Sequence, residues 1–252
     1  MHSCGLRLVQ LALDPIRTGA WRLDETRRSL ADAGIQIASG MMATLGEDYT
    51  TIDSIRRTGG LRPDEHWEAN LAAAGENARI ARELSVSLVT FHAGFIPEDA
   101  SDPLRATMVE RIARVATAFA EQGVQVALET GQESATALRD VLAAPPLRDV
   151  GVNFDPANMI LYGSGEPIPG LSRLANRVVQ AHMKDALPSE IPGAWGQEVL
   201  AGSGRVDWKA FFEIVRERLP SIDVIIEREA GDSRVEDVCR GVEVATTFGA
   251  RV

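Results

Sequence analysis

The sequence is poor in the residues that build several common kinds of site. Two cysteines, Cys4 and Cys239, stand near opposite ends of the 252 residues, with no Cys-x-x-Cys spacing. This arrangement excludes a thiolate metal centre, predicts no disulfide framework, and suits a reducing, cytoplasmic setting. Basic residues are in deficit: 26 Lys and Arg face 36 Asp and Glu, for a formal net charge of −10. Such a field repels phosphate backbones and anionic lipid, which excludes nucleic acid and membrane surfaces as default partners. No apolar run reaches the ~18 residues that a membrane span needs. Met1 to Gly5 lacks the basic and apolar regions of a signal peptide. Gly-x-Gly-x-x-Gly after the first strand-like run and the phosphate-loop pattern are both missing, which weakens a nucleotide-binding sheet.

Against these absences stands an ordinary globular balance of 45% hydrophobic and 25% charged residues. Short apolar runs alternate with longer amphipathic stretches. The strand-like runs are Leu6–Leu13, Ile35–Ala43, Val86–His92, Val124–Glu129, Val150–Asp155, Val178–Met183 and Asp223–Arg228. Their continuous Val, Ile and Leu content predicts parallel strands buried on both faces. Asp102-Pro103 predicts a helix over Leu104–Glu121, Asp64 caps one over Glu65–Leu84, Asp207 opens another through Leu219, and Ser233-x-x-Glu236 reads as a capping box. Repeated strand–helix units at this length predict one domain spanning residues 1–252, an α/β fold of the (β/α)8 TIM-barrel type. Only seven strands are readable, one short of eight, which leaves three readings open: the first β/α unit is lacking, the natural N-terminus is longer, or the barrel closes differently. Two long polar loops, residues 44–62 and 186–205, follow strand ends, the face on which barrels build sites.

Polar residues gather where four of these strands finish. Glu129 ends VQVALE, Asp155 ends VGVNFD, His182 lies in VVQAHM, and Glu227 lies in DVIIER. Parallel strands put these ends on one rim. Three carboxylates there repel one another unless a cation compensates them. A single acidic strand end is commonly a helix cap; four in succession are not. Oxygen donors with one imidazole suit one divalent ion, Mn²⁺ first, then Mg²⁺ or Co²⁺, with Zn²⁺ less favoured.

LETG, NFDPANMILYG, AHMKDA, a Gly-x-Gly segment before Asp207-Trp208, and IIERE together resemble the xylose-isomerase-like barrel family, which includes ketose 3-epimerases. The resemblance runs from about Leu6 onward and implies that Leu6–Leu13 is the family's second strand. It implies that Glu129, Asp155, His182 and Glu227 hold the metal and that Glu129 and Glu227 are the acid/base pair. The implied chemistry is isomerisation or epimerisation of a small sugar or polyol-derived carbonyl compound, by proton abstraction next to a metal-chelated carbonyl through an enediolate. It also leaves a homo-oligomer open. Two positions depart from the ketose epimerases. Asn158 stands where they tend to carry a substrate-binding His, and their Arg beyond the metal His has no counterpart, Lys184 being the nearest cation.

The further substrate-binding candidates are His92 at a strand end, Glu133, Asn158, Lys184, and Glu198 and Arg205 in the second long loop. Trp195 offers an apolar face to a sugar ring, whereas Trp67 reads as core. Two other activities fit this scaffold. A lyase of the keto-inositol dehydratase type shares the first proton abstraction. An abasic-site endonuclease needs a histidine-rich zinc cluster, and four histidines with a net charge of −10 speak against it.

Overall fold

A computed structural model describes residues 4–250 of the chain. The elements run β1 (Leu8–Ala12), α1 (Asp14–Arg17), α2 (Leu23–Asp32), β2 (Gln36–Met41), α3 (Ile52–Thr58), α4 (Asp64–Glu83), β3 (Leu88–Phe91), α5 (Pro103–Ala120), β4 (Gln125–Glu129) and α6 (Ala135–Leu142). They continue with β5 (Gly151–Phe154), α7 (Pro156–Tyr162), α8 (Pro167–Leu174), β6 (Val178–Met183), β7 (Asp185–Leu187), β8 (Gln197–Val199), α9 (Trp208–Arg218), β9 (Asp223–Ile226) and α10 (Arg234–Thr247). Seven strands form one parallel sheet in the order β1-β2-β3-β4-β5-β6-β9, nearly closed into a TIM barrel with helices around it. The strand runs read from the sequence are all present, Val178–Met183 with the same bounds and the others trimmed at one or both ends. Among the described residues β1 pairs only with β2, and β9 only with β6, so a seam separates them.

The core lies between sheet and helices, where Phe91, Phe119, Phe154 and Phe211 are fully buried. Each such ring contributes about 2–3 kcal/mol of transfer free energy. The barrel interior is different: Gln10, Ser39, Thr90, Asn153 and Gln180 carry polar groups. Strand alternation puts these on the face opposite the helices.

Helix starts follow the sequence unevenly. Asp102 Oδ1 accepts from Leu104 N at 2.9 Å, and Asp207 Oδ1 from Ala210 N at 3.0 Å, as capping chemistry predicts. Asp64 caps nothing: it is the first residue of α4, and its carboxylate pairs instead with Arg111, whose guanidinium also donates to the carbonyls of Leu61 and Arg62. Ser233 makes no side-chain cap bond to α10. Trp67 sits in the core under Arg111 and Arg114.

Both long loops hold structure that their polar composition concealed. The first contains α3, capped by Thr51 Oγ1 accepting from Ser54 N. The second contains the antiparallel hairpin β7–β8. Asp185, at its base, accepts from the backbone N–H groups of Ala186, Gly202, Gly204 and Val206 and from Trp208 Nε1, at 2.9–3.2 Å. Gly204 is required by this approach, because a Cβ there would lie 2.0 Å from Asp185 Oδ1.

The cysteine reading is overturned. Cys4 and Cys239 form a disulfide across 235 positions, their Cα atoms 4.9 Å apart. Distance along the chain was the wrong measure. Barrel curvature returns α10 to the segment before β1, and the bond clamps the seam from outside. The pairing removes the argument from free thiols to a reducing compartment. No helix among the described residues is long and apolar enough to cross a membrane.

A candidate metal centre at the strand ends

Parallel register places the site. Glu129 is paired with Asn153 across β4–β5, Asn153 with Gln180 across β5–β6, and His182 with Ile225 across β6–β9. One residue beyond β5 stands Asp155, and one beyond β9 stands Glu227, so the four polar side chains read from the sequence meet at one rim. One donor atom from each of Glu129, Asp155, His182 and Glu227 lies within 4.8 Å of all the others. Ligands on opposite sides of a divalent ion, each at about 2.0–2.4 Å, stand about that far apart.

Asp155 has an ordinary task and a spare one. Its Oδ1 caps α7 by accepting from Asn158 N at 2.8 Å. Its Oδ2 is buried with no hydrogen-bond partner, and so is His182 Nδ1, 3.5 Å away. Lys184 Nζ stands 3.2 Å from Oδ2 but out of line for a hydrogen bond. Buried polar atoms are normally satisfied, so two orphans facing each other mark a place for a cation. The residues fit a divalent ion.

Glu129 is oriented from two sides. Asn158 Nδ2 donates to Oε1 at 2.9 Å and Asn153 Nδ2 to Oε2 at 3.1 Å. Gly131 makes this possible: it adopts φ +141°, and a Cβ there would lie 2.5 Å from Asn158 Cβ. Glu227 Oε2 lies 2.6 Å from Lys184 Nζ and 3.1 Å from His182 Nδ1. Lys184 also reaches Glu229 Oε2 at 3.1 Å, and is itself only 2% exposed.

Burial alone would raise the carboxyl of Glu227, but His182 and Lys184 beside it hold it well below the usual range. Glu129 is likewise lowered, burial being outweighed by His182 and then His92. Burial opposes charge on His182 and Lys184 too; the neighbouring carboxylates win and raise both well above their ordinary values. Protons and an ammonium therefore balance this centre in the chain alone.

The remaining candidates divide. His92, just beyond β3, brings Nε2 to 3.5 Å from Glu129 Oε1 and leaves a buried Nδ1 unpartnered. Asn158 spends its amide on Glu129. Glu133 is buried in the β4–α6 loop, where desolvation, with Glu98 nearby, pushes its carboxyl up to about 8. Glu198 lies in β8 with both oxygens engaged, by Arg228 and by the N–H groups of Glu229 and Ala230. Arg205 is exposed, its backbone N–H bonded to Ala186 O. Gln10, Asn153, Asp185 and Glu229 were not singled out from the sequence. A glutamine interrupting the otherwise apolar LVQLA was the one available signal for Gln10.

An aromatic row runs from the first long loop to the second and on to α7. Tyr49 stacks on Trp195 at 6.5 Å, Trp195 meets Tyr162 edge-on at 4.7 Å, and Tyr162 meets Phe95 at 5.6 Å. Burial raises the Tyr162 phenol above its ordinary range, whereas Tyr49 is about half exposed at the outer end of the row. Trp195 Nε1 is buried without a partner.

No curated protein matches the chain. Among solved structures, a xylose isomerase domain protein from Planctomyces limnophilus is 33% identical, with a TM-score of 0.88, over 98% of this chain and 89% of that one. A probable 3-DHS dehydratase from Bacillus anthracis is 17% identical, with a TM-score of 0.72, over 97% and 90% of the two chains. A D-psicose 3-epimerase from Clostridium cellulolyticum is 14% identical, with a TM-score of 0.68, over 98% and 89%. The last two likenesses show the fold. The profile described as xylose isomerase-like TIM barrel matches residues 1–246. With that match and the 33% relative, the chain belongs to the xylose isomerase-like TIM barrel family.

Proposed function

We propose that the protein is a divalent-metal-dependent isomerase or epimerase of a small sugar or polyol-derived carbonyl compound. The observation that carries this reading is the facing pair of unsatisfied buried atoms, Asp155 Oδ2 and His182 Nδ1, inside a four-residue donor set. Glu129, Asp155, His182 and Glu227 would hold the ion, Mn²⁺ by preference, with Mg²⁺, Co²⁺ and Zn²⁺ as alternatives. When bound, such an ion supplies Lewis-acid polarisation of a carbonyl oxygen and offsets enediolate charge.

The chain's own groups do the rest. Glu129 and Glu227, held below the usual carboxylate range, form the acid/base pair. One carboxylate takes the proton from carbon next to the carbonyl. A proton is returned either by that same carboxyl to the adjacent carbon or by its protonated partner from the opposite face. Lys184, beside Glu227, presents an ammonium to oxygen that gains negative charge. His92 brings Nε2 beside Glu129, in position for a substrate hydroxyl at the centre. Tyr49, Trp195 and Tyr162 supply an apolar face for carbon-bound hydrogens and exclude water. Glu133 and Arg205 are held as more distant substrate contacts. The partner is a small molecule, with nucleic acid disfavoured by the charge of −10.

The test is native mass spectrometry with elemental analysis of protein purified without chelators, compared with Asp155→Asn. Asparagine keeps the helix cap and removes a ligand charge. One divalent ion per chain, absent from the variant, supports the reading and leads to screening ketoses and keto-polyols in D₂O. Deuterium exchange at carbon without loss of water marks isomerisation or epimerisation; a dehydrated product marks the lyase chemistry instead. No ion after Mn²⁺ is added back overturns the proposal.

A further inference from the structure

We propose that Gln10 is the positioning residue that commits His182 to metal binding, an inference that rests on the metal-centre reading above. Gln10 is 172 positions from His182 and on a strand that does not pair with β6. Its side chain crosses the barrel interior and brings Oε1 to 2.9 Å from His182 Nε2. The amide nitrogen of Gln10 donates to Thr90 Oγ1 at 3.1 Å, which anchors the other end of the group.

Two side chains meet His182 Nε2, and only one can accept a proton from it. Asn153 Nδ2 is 3.0 Å away, but an amide nitrogen only donates: with one hydrogen on Glu129, its second favours the opposite tautomer, and Gln10 is the group that opposes it. The Asn153 nitrogen donates to Glu129 Oε2 at 3.1 Å, an oxygen that only accepts, and Asn153 Oδ1 accepts from Gln180 Nε2 at 3.2 Å. Gln10 Oε1 is therefore the acceptor among the described residues. A neutral imidazole carries one N–H. With that N–H on Nε2 and given to Gln10, the Nδ1 lone pair faces Glu227, Glu129 and Asp155 oxygens at 3.1, 3.4 and 3.5 Å. With the proton on Nδ1 instead, the same ring would present a donor to the centre and could not ligate there.

The side-chain hydrogen bonds of Gln10 go to Thr90 and His182 and to none of the carboxylates, so its action is through the ring. Glutamine also keeps the interior neutral where a carboxylate would add a fourth negative charge to the centre. The seam gives the contact a second consequence. Beyond its pairing with β2, β1 is hydrogen-bonded to the barrel interior by this side chain, through Thr90 and His182.

The experiment compares wild type, Gln10→Met and Gln10→Glu by Mn²⁺ titration calorimetry and thermal melting, with Asp155→Asn as the reference loss. The Zn²⁺-loaded proteins are then read by long-range ¹H–¹⁵N correlation at the four histidines. Methionine keeps the volume and removes the acceptor, whereas glutamate keeps the acceptor. Losing such a partner weakens metal binding about 10–100-fold, so Gln10→Met should show that loss while Gln10→Glu stays within about threefold of wild type or binds more tightly. The wild-type spectrum should show His182 protonated at Nε2 and ligated through Nδ1. Metal binding by Gln10→Met equal to wild type, with Asp155→Asn still defective, overturns this inference and leaves the metal centre standing. Equal losses in both Gln10 variants, tracking their melting temperatures, overturn it in favour of a purely structural link. No Mn²⁺ bound by wild type overturns both readings together.

Discussion

Lys184 Nζ lies 2.6 Å from Glu227 Oε2 in surroundings where the lysine is almost wholly buried. The pair does two jobs that pull against each other. Without an ion, the ammonium neutralises a carboxylate that would otherwise repel Glu129 and Asp155. With an ion, the same ammonium repels it. Removing one partner of a buried pair costs about 3–5 kcal/mol. Lys184→Met should therefore lower the melting temperature of the metal-free protein and enlarge the rise on adding Mn²⁺. Its turnover should fall by about 10²-fold or more if Lys184 stabilises developing charge on substrate. Calorimetry with and without Mn²⁺, followed by steady-state kinetics, measures both. An unchanged gap between the two melting temperatures would show that the lysine does not balance this centre.

Glu133 makes stability depend on pH in a particular direction. Burial, reinforced by Glu98, raises its carboxyl to about 8, while Glu98 itself is held by Ser134 N and Oγ. The folded state therefore binds this proton more tightly than the unfolded state does. Its contribution is fully present below the unfolded value of about 4.3 and is lost as pH rises through about 8. Glu133→Gln should be more stable than wild type above that range, with the difference shrinking toward pH 4–5. Urea unfolding at pH 5, 7 and 9 checks this, and a difference that grows on acidification would contradict it.

Asp185 holds the second long loop by five donors on one carboxylate. Asp185→Asn replaces one acceptor oxygen by a donor facing backbone N–H groups. We expect a loss of about 2–4 kcal/mol and faster amide exchange at Gly202, Gly204 and Val206. Protection unchanged at those three amides would show that the hairpin stands without this anchor.

The Cys4–Cys239 bond closes a loop of 235 positions. Chain-entropy arguments and measured disulfides put such a bond at about 2–5 kcal/mol. Cys4→Ser should melt roughly 5–15 °C below the oxidised wild type, and reduced wild type should melt with it. The difference between oxidised and reduced wild type isolates the bond from the substitution. Identical melting of all three forms would mean that the seam is held by other contacts.

Much of this molecule was legible along the chain. Runs rich in Val, Ile and Leu marked the seven barrel strands, even though Gln10, Asn153 and Gln180 interrupt three of them with polar groups that face the barrel interior. Glu129, Asp155, His182 and Glu227 were readable as one site because parallel strands carry their ends to a common rim. Local chemistry also located Asp102 and Asp207, whose caps depend on residues two or three positions away. Contacts between residues far apart in the chain left little or no such trace. Asp64 looked like a cap until α5 brought Arg111 against it, and Glu198 looked like a loop carboxylate until β9 delivered Arg228. Cys4 and Cys239 meet, and Gln10 reaches His182, only because the sheet curls until its first and last strands face each other. Composition and periodicity report which surfaces must be buried; which side chains then touch is set by closure of the sheet, and that is where the disulfide, the loop anchor and the contact of Gln10 with His182 arise.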